Sequence, residues 1–273
     1  MGEVWRVKYD GSCADCGAAL VKGTPAIWDR ATRTIRCVEC PTPQETAPAR
    51  EEPNRDPGVA GRSARAEHDR RAAKGDAAIT ERWGTGIVAK VVRAVSVEPQ
   101  STRAWAIGAA GEEKLAAELT IVPGLRMLHD RRVPGTRGNI DHIVIGPAGV
   151  FVVDAKANRG RIEIRDRGSL FQTDYRLMIG GRDCSAMADK MGWQVSAIQA
   201  ALADHGIDPL PPIVPVLCFL EVEWPLLGAP NSFRGVRLES HRSVKRLLTT
   251  SAGLSESRAD VLVEALGEAL PSK

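Results

Sequence analysis

Residues 139–156 read Asn-Ile-Asp-His-Ile-Val-Ile-Gly-Pro-Ala-Gly-Val-Phe-Val-Val-Asp-Ala-Lys, two runs rich in Ile and Val around the turn formers Gly146, Pro147, Ala148 and Gly149. β-Branched residues suit a pleated strand and Gly and Pro suit a tight connection, so the stretch predicts a hairpin of strands 138–145 and 150–156. With Ile145 opposite Val150, counting inward pairs Ile143 with Val152 and Asp141 with Asp154. Side chains alternate along a strand, which sets Asp141, Ile143 and Ile145 on one face with Val150, Val152, Asp154 and Lys156. Directly opposed residues stand roughly 4.5–5.5 Å apart at Cβ, where two carboxylates repel unless a cation or a proton lies between them. A hard divalent ion bound by carboxylate oxygens would relieve that repulsion. Lys156, on the same face, is placed to direct its ammonium at a phosphate or an attacking water. A register slip of one residue would send one aspartate to the opposite face. A surface salt-bridge cluster on an edge hairpin would use the same residues. His142 points away from Asp141 in this register and takes a structural role.

Working outward, residues 109–119 predict a helix whose buried stripe carries Leu115 and Leu119. Glu112, three residues before Leu115, lies on that stripe, whereas Glu113 is rotated away by about 100°. A carboxylate at the edge of a buried stripe needs a partner, and a metal or basic group shared with the hairpin aspartates is one. Further strands are expected at 161–165, 175–179 and 213–220, a helix at 185–204, and helical segments towards the carboxyl end.

Gly111-Glu112, Asn139-Ile140-Asp141-His142, Val152-Val153-Asp154-Ala155-Lys156 and Gln194 together resemble the nuclease-related domain (NERD) family of the PD-(D/E)xK nuclease-like superfamily. The resemblance spans roughly residues 101–248. It implies an α/β, restriction-endonuclease-like fold with a mixed central sheet flanked by helices, and metal-dependent phosphodiester hydrolysis, with DNA favoured over RNA. It places Glu112 at the family's helix acid, Asp141 at the acid of its Ile-Asp-His motif, and Asp154 with Lys156 at its acid-x-Lys pair. Gln194 joins them as a fifth catalytic candidate. Mg²⁺ or Mn²⁺ would be held by Asp141, Asp154 and Glu112. Asp154 stands where Glu is frequent, and Asn139 where Gln is common. A non-catalytic nucleic-acid- or protein-binding module on the same fold is the alternative.

Ahead of this domain, Cys13, Cys16, Cys37 and Cys40 form two Cys-x-x-Cys pairs separated by twenty residues, the spacing at which two thiolate knuckles close a tetrahedral Zn²⁺ site. The block 1–41 resembles a zinc ribbon, a class that contacts nucleic acid or proteins, and Arg30, Arg33 and Arg36 are candidate phosphate contacts. Residues 42–61, rich in Pro and charge, predict a flexible linker. Residues 62–100 predict a helical connector with a solvated helix over 62–82 that offers a protein partner a surface. Residues 101–250 are the nuclease-related domain and 251–273 a carboxy-terminal helical segment. The charge of +3 and 43% hydrophobic content describe an ordinary globular chain and select no partner. No run has membrane-spanning or signal-peptide character, so the expected location is cytoplasmic. Cys184 and Cys218 read as ordinary reduced thiols.

Overall fold

The computed structural model describes residues 4–14, 18–29, 34–38, 56–96, 99–169, 172–250 and 253–273. The chain divides into two compact units, Met1–Arg55 and Asp56–Lys273.

In the first unit, β1 (Val4–Arg6), β2 (Gly11–Ser12), β3 (Ala19–Leu20), β4 (Pro25–Asp29) and β5 (Thr34–Cys37) form a three-stranded sheet β1-β4-β5 and a two-stranded ribbon β2-β3. Its buried apolar residues are only Val7, Cys13, Leu20 and Ala26 among those described. The Cys37 amide donates to Cys13 Sγ at 3.3 Å, so the first and third cysteines are neighbours. Cys16, Cys40, Arg30 and Arg33 lie outside the described residues, as do 42–55 of the expected linker.

In the second unit, α1 (Arg62–Trp83), α2 (Ile87–Val95) and α3 (Gln100–Thr120) lead into β6 (Arg126–Arg132), β7 (Asn139–Gly146), β8 (Gly149–Asp166), β9 (Tyr175–Ile179) and β10 (Arg182–Asp183). There follow α4 (Ser185–Asp189), α5 (Met191–Asp204), β11 (Ile213–Glu223), β12 (Ser232–Phe233), β13 (Val236–Ser240), α6 (Ser243–Thr249) and α7 (Glu256–Ala269). The result is a mixed central sheet flanked by helices. Strand β8 is its axis: it pairs antiparallel with β7 and β9 and parallel with β11, which pairs parallel with β13. On one face Leu115 and Leu119 of α3 and Val244 and Leu248 of α6 cover Val144, Phe151 and Val153. On the other, α4, α5 and α7 cover Ile143, Ile145, Val150 and Val152.

The hairpin has the expected register, from Gly146 opposite Gly149 through Ile145 with Val150 to His142 with Val153. Its loop is only Pro147 and Ala148 because both flanking glycines belong to strands. Gly149 has φ +133°, and a Cβ there would stand 2.5 Å from the Pro212 carbonyl oxygen, so this close approach requires glycine.

Several expectations are corrected. The strands expected at 150–156 and 161–165 are one strand, because β11 supplies ladder partners to Arg159, Gly160 and Arg161 and β9 to the residues from Ile162 onward. The pairing with β11 shifts register just beyond Lys156, between Phe219 and Glu221, as at a β-bulge. The helix expected at 185–204 is two, α4 and α5, joined at Lys190. The helix expected from 109 begins at Gln100. Residues 56–61, taken as the end of the linker, are held instead: the His129 amide donates to the Pro57 carbonyl, and a Cβ on Gly58 would collide with the His129 carbonyl. Among the described residues no helix is long and apolar enough to cross a membrane.

Candidate active site

The β7–β8 ladder stops at His142 and Val153, one residue pair short of Asp141 and Asp154. Beyond that point β8 runs on beside β11 while β7 continues beside β6, and the two aspartates stand where the hairpin parts. Asp141 lies within the electrostatic reach of Asp154, whose charge helps to raise its pKa. Glu112 of α3 is close enough to feel both aspartates, and Lys156 Nζ donates to Asp154 Oδ1 at 2.5 Å. Lys156 thus touches Asp154, and Glu112 and Asp141 lie within electrostatic reach of that pair.

Electrostatics follow from the geometry. Burial, then the charges of Asp154 and Asp130, lift the Glu112 carboxyl to about 7, against the pull of Lys156 and a Gly61 amide. Burial, then Asp154 and Glu112, hold Asp141 well above the usual carboxylate range. Burial opposes the charge on Lys156, but Asp154, Asp141 and Glu112 outweigh it and raise its pKa. Three acids facing one ammonium leave an excess of negative charge that only protons or a further cation can balance. Hard oxygen donors in such excess match Mg²⁺ or Mn²⁺ in kind. Among the described residues, however, no three His, Cys, Asp or Glu side chains are already drawn together as a ligand set. Lys156 donates to one oxygen of Asp154, which leaves the other carboxylate oxygen as an acceptor.

Asp130 was not foreseen. It lies in β6, is buried, and has a left-handed backbone with φ 48°, a sparsely populated conformation for a non-glycine residue. Its carboxylate accepts from the Ser63 amide and hydroxyl, each at 2.7 Å, and from Asn139 Nδ2 at 2.7 Å. Asn139 Nδ2 also lies 3.2 Å from Asp141 Oδ1. One amide thus links the candidate site to the first turn of α1, and Ser63 and Gly61 bring two amino-terminal N–H groups of that helix to Asp130 and Glu112. No periodicity marks β6, whose sequence Arg-Met-Leu-His-Asp-Arg-Arg is mostly polar.

The other expectations sort as follows. Glu113 faces away and accepts from Arg65 of α1. His142 is buried against His129, with Nδ1 atoms 2.8 Å apart and rings edge to face. Gln194 on α5 is buried with an Oε1 that finds no hydrogen-bond partner among the described residues, and no hydrogen bond joins it to the acids. Cys184 and Cys218 are buried, the latter with its thiol pushed up to about 12 by burial and nearby acids.

Residues 107–220 match the Nuclease-related domain, NERD, an interval that contains Glu112, Asp141, Asp154, Lys156 and Gln194. No curated protein and no solved structure matches the chain.

Proposed function

We propose that the second unit is a metal-dependent nuclease that hydrolyses phosphodiester bonds in nucleic acid, with DNA as substrate on the strength of the family resemblance. The observation that carries this reading is the convergence of Glu112, Asp141, Asp154 and Lys156 within a segment similar to a nuclease-related domain. A bound Mg²⁺ or Mn²⁺ would polarise the phosphodiester and lower the pKa of a water. Asp141 and Asp154, with help from Glu112, would hold that ion, and its charge would favour the ionised form of Asp141. Lys156 turns its ammonium from Asp154 towards a phosphate oxygen or the attacking water, where it steadies developing charge. Glu112, poised near neutrality, exchanges its proton close to the working pH. Gln194 contacts the substrate side through its carbonyl oxygen, which is unpartnered among the described residues.

In the first unit, Cys13, Cys16, Cys37 and Cys40 hold one structural Zn²⁺. Their spacing and the bond from the Cys37 amide to Cys13 Sγ support the site. A protein partner would use this module or the exposed side of residues 62–82, and the cytoplasm is the compartment of this reading. The rival reading, a binding module that does not cut, is favoured by one fact: the acids are not already drawn together as a ligand set.

The test is cleavage of single-stranded, double-stranded and branched DNA and RNA with Mg²⁺ or Mn²⁺, run beside Asp154→Asn. Cleavage that is metal-dependent and lost in the variant supports the nuclease. Cleavage that survives the substitution, or none on any substrate, removes it. Elemental analysis of the purified chain should find about one zinc per molecule, the stoichiometry of a closed four-cysteine site.

A further inference from the structure

Folding places large apolar rings inside, and a unit with a small core has most need of them there. The first unit does the reverse. Trp5 is 51% exposed, Tyr9 83% and Trp28 38%, while its core is made of the much smaller Val7, Cys13, Leu20 and Ala26. The chain has six tryptophans and two tyrosines in all, so three of these eight rings line one groove of about 500 Å³. Strand register puts two of them on one surface. Trp5 pairs with Ala26 and Trp28 lies two residues beyond Ala26, so the sheet face that is core at Ala26 continues outward as a pair of indoles. Tyr9 adds a third ring on the segment after β1.

The charges around the groove select what these rings receive. Arg6 and Lys8 alternate with Trp5, Val7 and Tyr9 along the chain and belong to the groove lining. Arg6 donates one N–H to the Gly23 carbonyl at 2.9 Å, and its remaining N–H groups still have donor capacity. The acid in the lining, Asp10, already accepts the Lys22 amide at 2.7 Å. Three rings can also cage a quaternary ammonium, but a rim with two cations and one engaged acid repels a cationic guest. It attracts a polyanion. Flat rings with adjacent cations are what single-stranded nucleic acid requires, because bases stack on the rings and phosphates meet the cations.

We propose that the Trp5, Tyr9 and Trp28 groove is a binding site for single-stranded nucleic acid, with Arg6 and Lys8 as phosphate contacts. The choice of ligand class agrees with the nuclease reading of the second unit, but the site itself needs no cleavage.

The experiment uses the full chain carrying Asp154→Asn, so that bound strands stay uncut. Fluorescein-labelled oligo(dT) and oligo(rU) of about 15 nucleotides, within the usual range of site sizes, are titrated by anisotropy with indole fluorescence followed in parallel. A duplex of the same length and a trimethyllysine peptide are the comparison ligands. One or both oligonucleotides should bind and quench indole emission. Trp5→Ala and Tyr9→Ala should each weaken binding about 5- to 100-fold, the loss expected for one stacked base. Trp5→Phe should restore most of it. Lys8→Ala should reduce the salt dependence of binding. Because Tyr9 is so exposed, Tyr9→Ala tests the groove even if a tryptophan variant fails to fold, which circular dichroism will show. Oligonucleotide affinity unchanged in Trp5→Ala and Tyr9→Ala overturns the proposal. So does binding confined to the peptide or the duplex, or no binding at all. If strands bind this groove while the wild-type chain cuts nothing, the groove stands and the nuclease reading falls. If the chain cuts but the ring variants bind as before, the reverse holds.

Discussion

Asp141 and His142 are consecutive residues of one strand, and they end in buried polar clusters of opposite character. His142 turns to His129, whose Nδ1 lies 2.8 Å away, and burial followed by the neighbouring ring depresses its pKa to about 3. Burial and Arg131 likewise lower His129, so the pair is uncharged at neutral pH. Asp141 turns to Asp154 and Glu112, where burial and like charge raise its pKa and Lys156 is enclosed with the acids. A pair that is neutral under working conditions can be sealed into a core. A set of three acids and one ammonium cannot be balanced from within, and so remains able to take up protons or an ion.

The sharpest way to break this contrast is Asp154→Asn, which removes a charge while keeping the side-chain shape. Nuclease activity should fall on the order of 100-fold or more, the scale seen when one preorganised electrostatic group is lost. The melting temperature should hold or rise, because one repulsion disappears. Asp141→Asn should behave in the same way. Full activity in purified Asp154→Asn, with contaminating nuclease excluded, would mean that the excess acidity has no chemical use.

Lys156→Ala should uncouple binding from turnover. Mn²⁺ affinity measured by calorimetry should persist or increase, whereas the cleavage rate falls. Without the ammonium, the metal-free protein should lose about 1–3 kcal/mol at pH 8, below the full cost of breaking a buried pair because this one is partly exposed. A variant with normal turnover would return Lys156 to a salt-bridge role.

The two clusters should also respond to pH with opposite sign. The raised Glu112 and Asp141 bind protons more tightly folded than unfolded, so their stabilising contribution is present below about pH 4.5 and, for Glu112, is lost as pH rises through about 7. The depressed histidines contribute stability above about pH 6.5, and for His142 it is lost as pH falls towards 3. Thermal melts of metal-free protein should therefore show Glu112→Gln gaining on the order of 1 kcal/mol at pH 8 but little at pH 4.5. Replacing both His129 and His142 by Leu should flatten the acid limb instead. Parallel pH curves for these variants would refute the contrast.

The smallest effect should come from the amide that links Asp130 to Asp141. Asn139→Ala should weaken Mn²⁺ binding by about 5-fold, roughly the 1 kcal/mol of one hydrogen bond, and Asn139→Gln should recover part of it. Glu113→Ala, whose partner Arg65 lies on the surface, serves as the control and should leave metal binding and rate unchanged. Equal losses in Asn139→Ala and Glu113→Ala would mean general loosening rather than positioning.

The hairpin could be read directly from sequence because its information is local. Alternating Ile and Val around a Gly-Pro turn specify strand, register and face together as far as His142 and Val153, one residue pair short of Asp141 and Asp154. The phase of Glu112 against Leu115 on α3, and the opposite placement of Glu113, followed from helical periodicity. Tertiary structure alone decided the rest. Strand β8 continues past Lys156 because β11 pairs with Arg159 to Arg161 and β9 with Ile162 to Asp166, which no window of sequence records. Strand β6 is charged and lacks a strand period, yet Arg131 and Asp130 are buried because residues 56–58 and the carboxy-terminal residues close over it and supply its hydrogen bonds. Asp130 meets Asn139, nine positions later, across the β6–β7 pairing, and Ser63, 67 positions earlier in the chain, through the packing of α1. Alternation along a strand or helix is written in neighbouring residues, whereas a hydrogen bond between distant segments depends on the packing of everything between them.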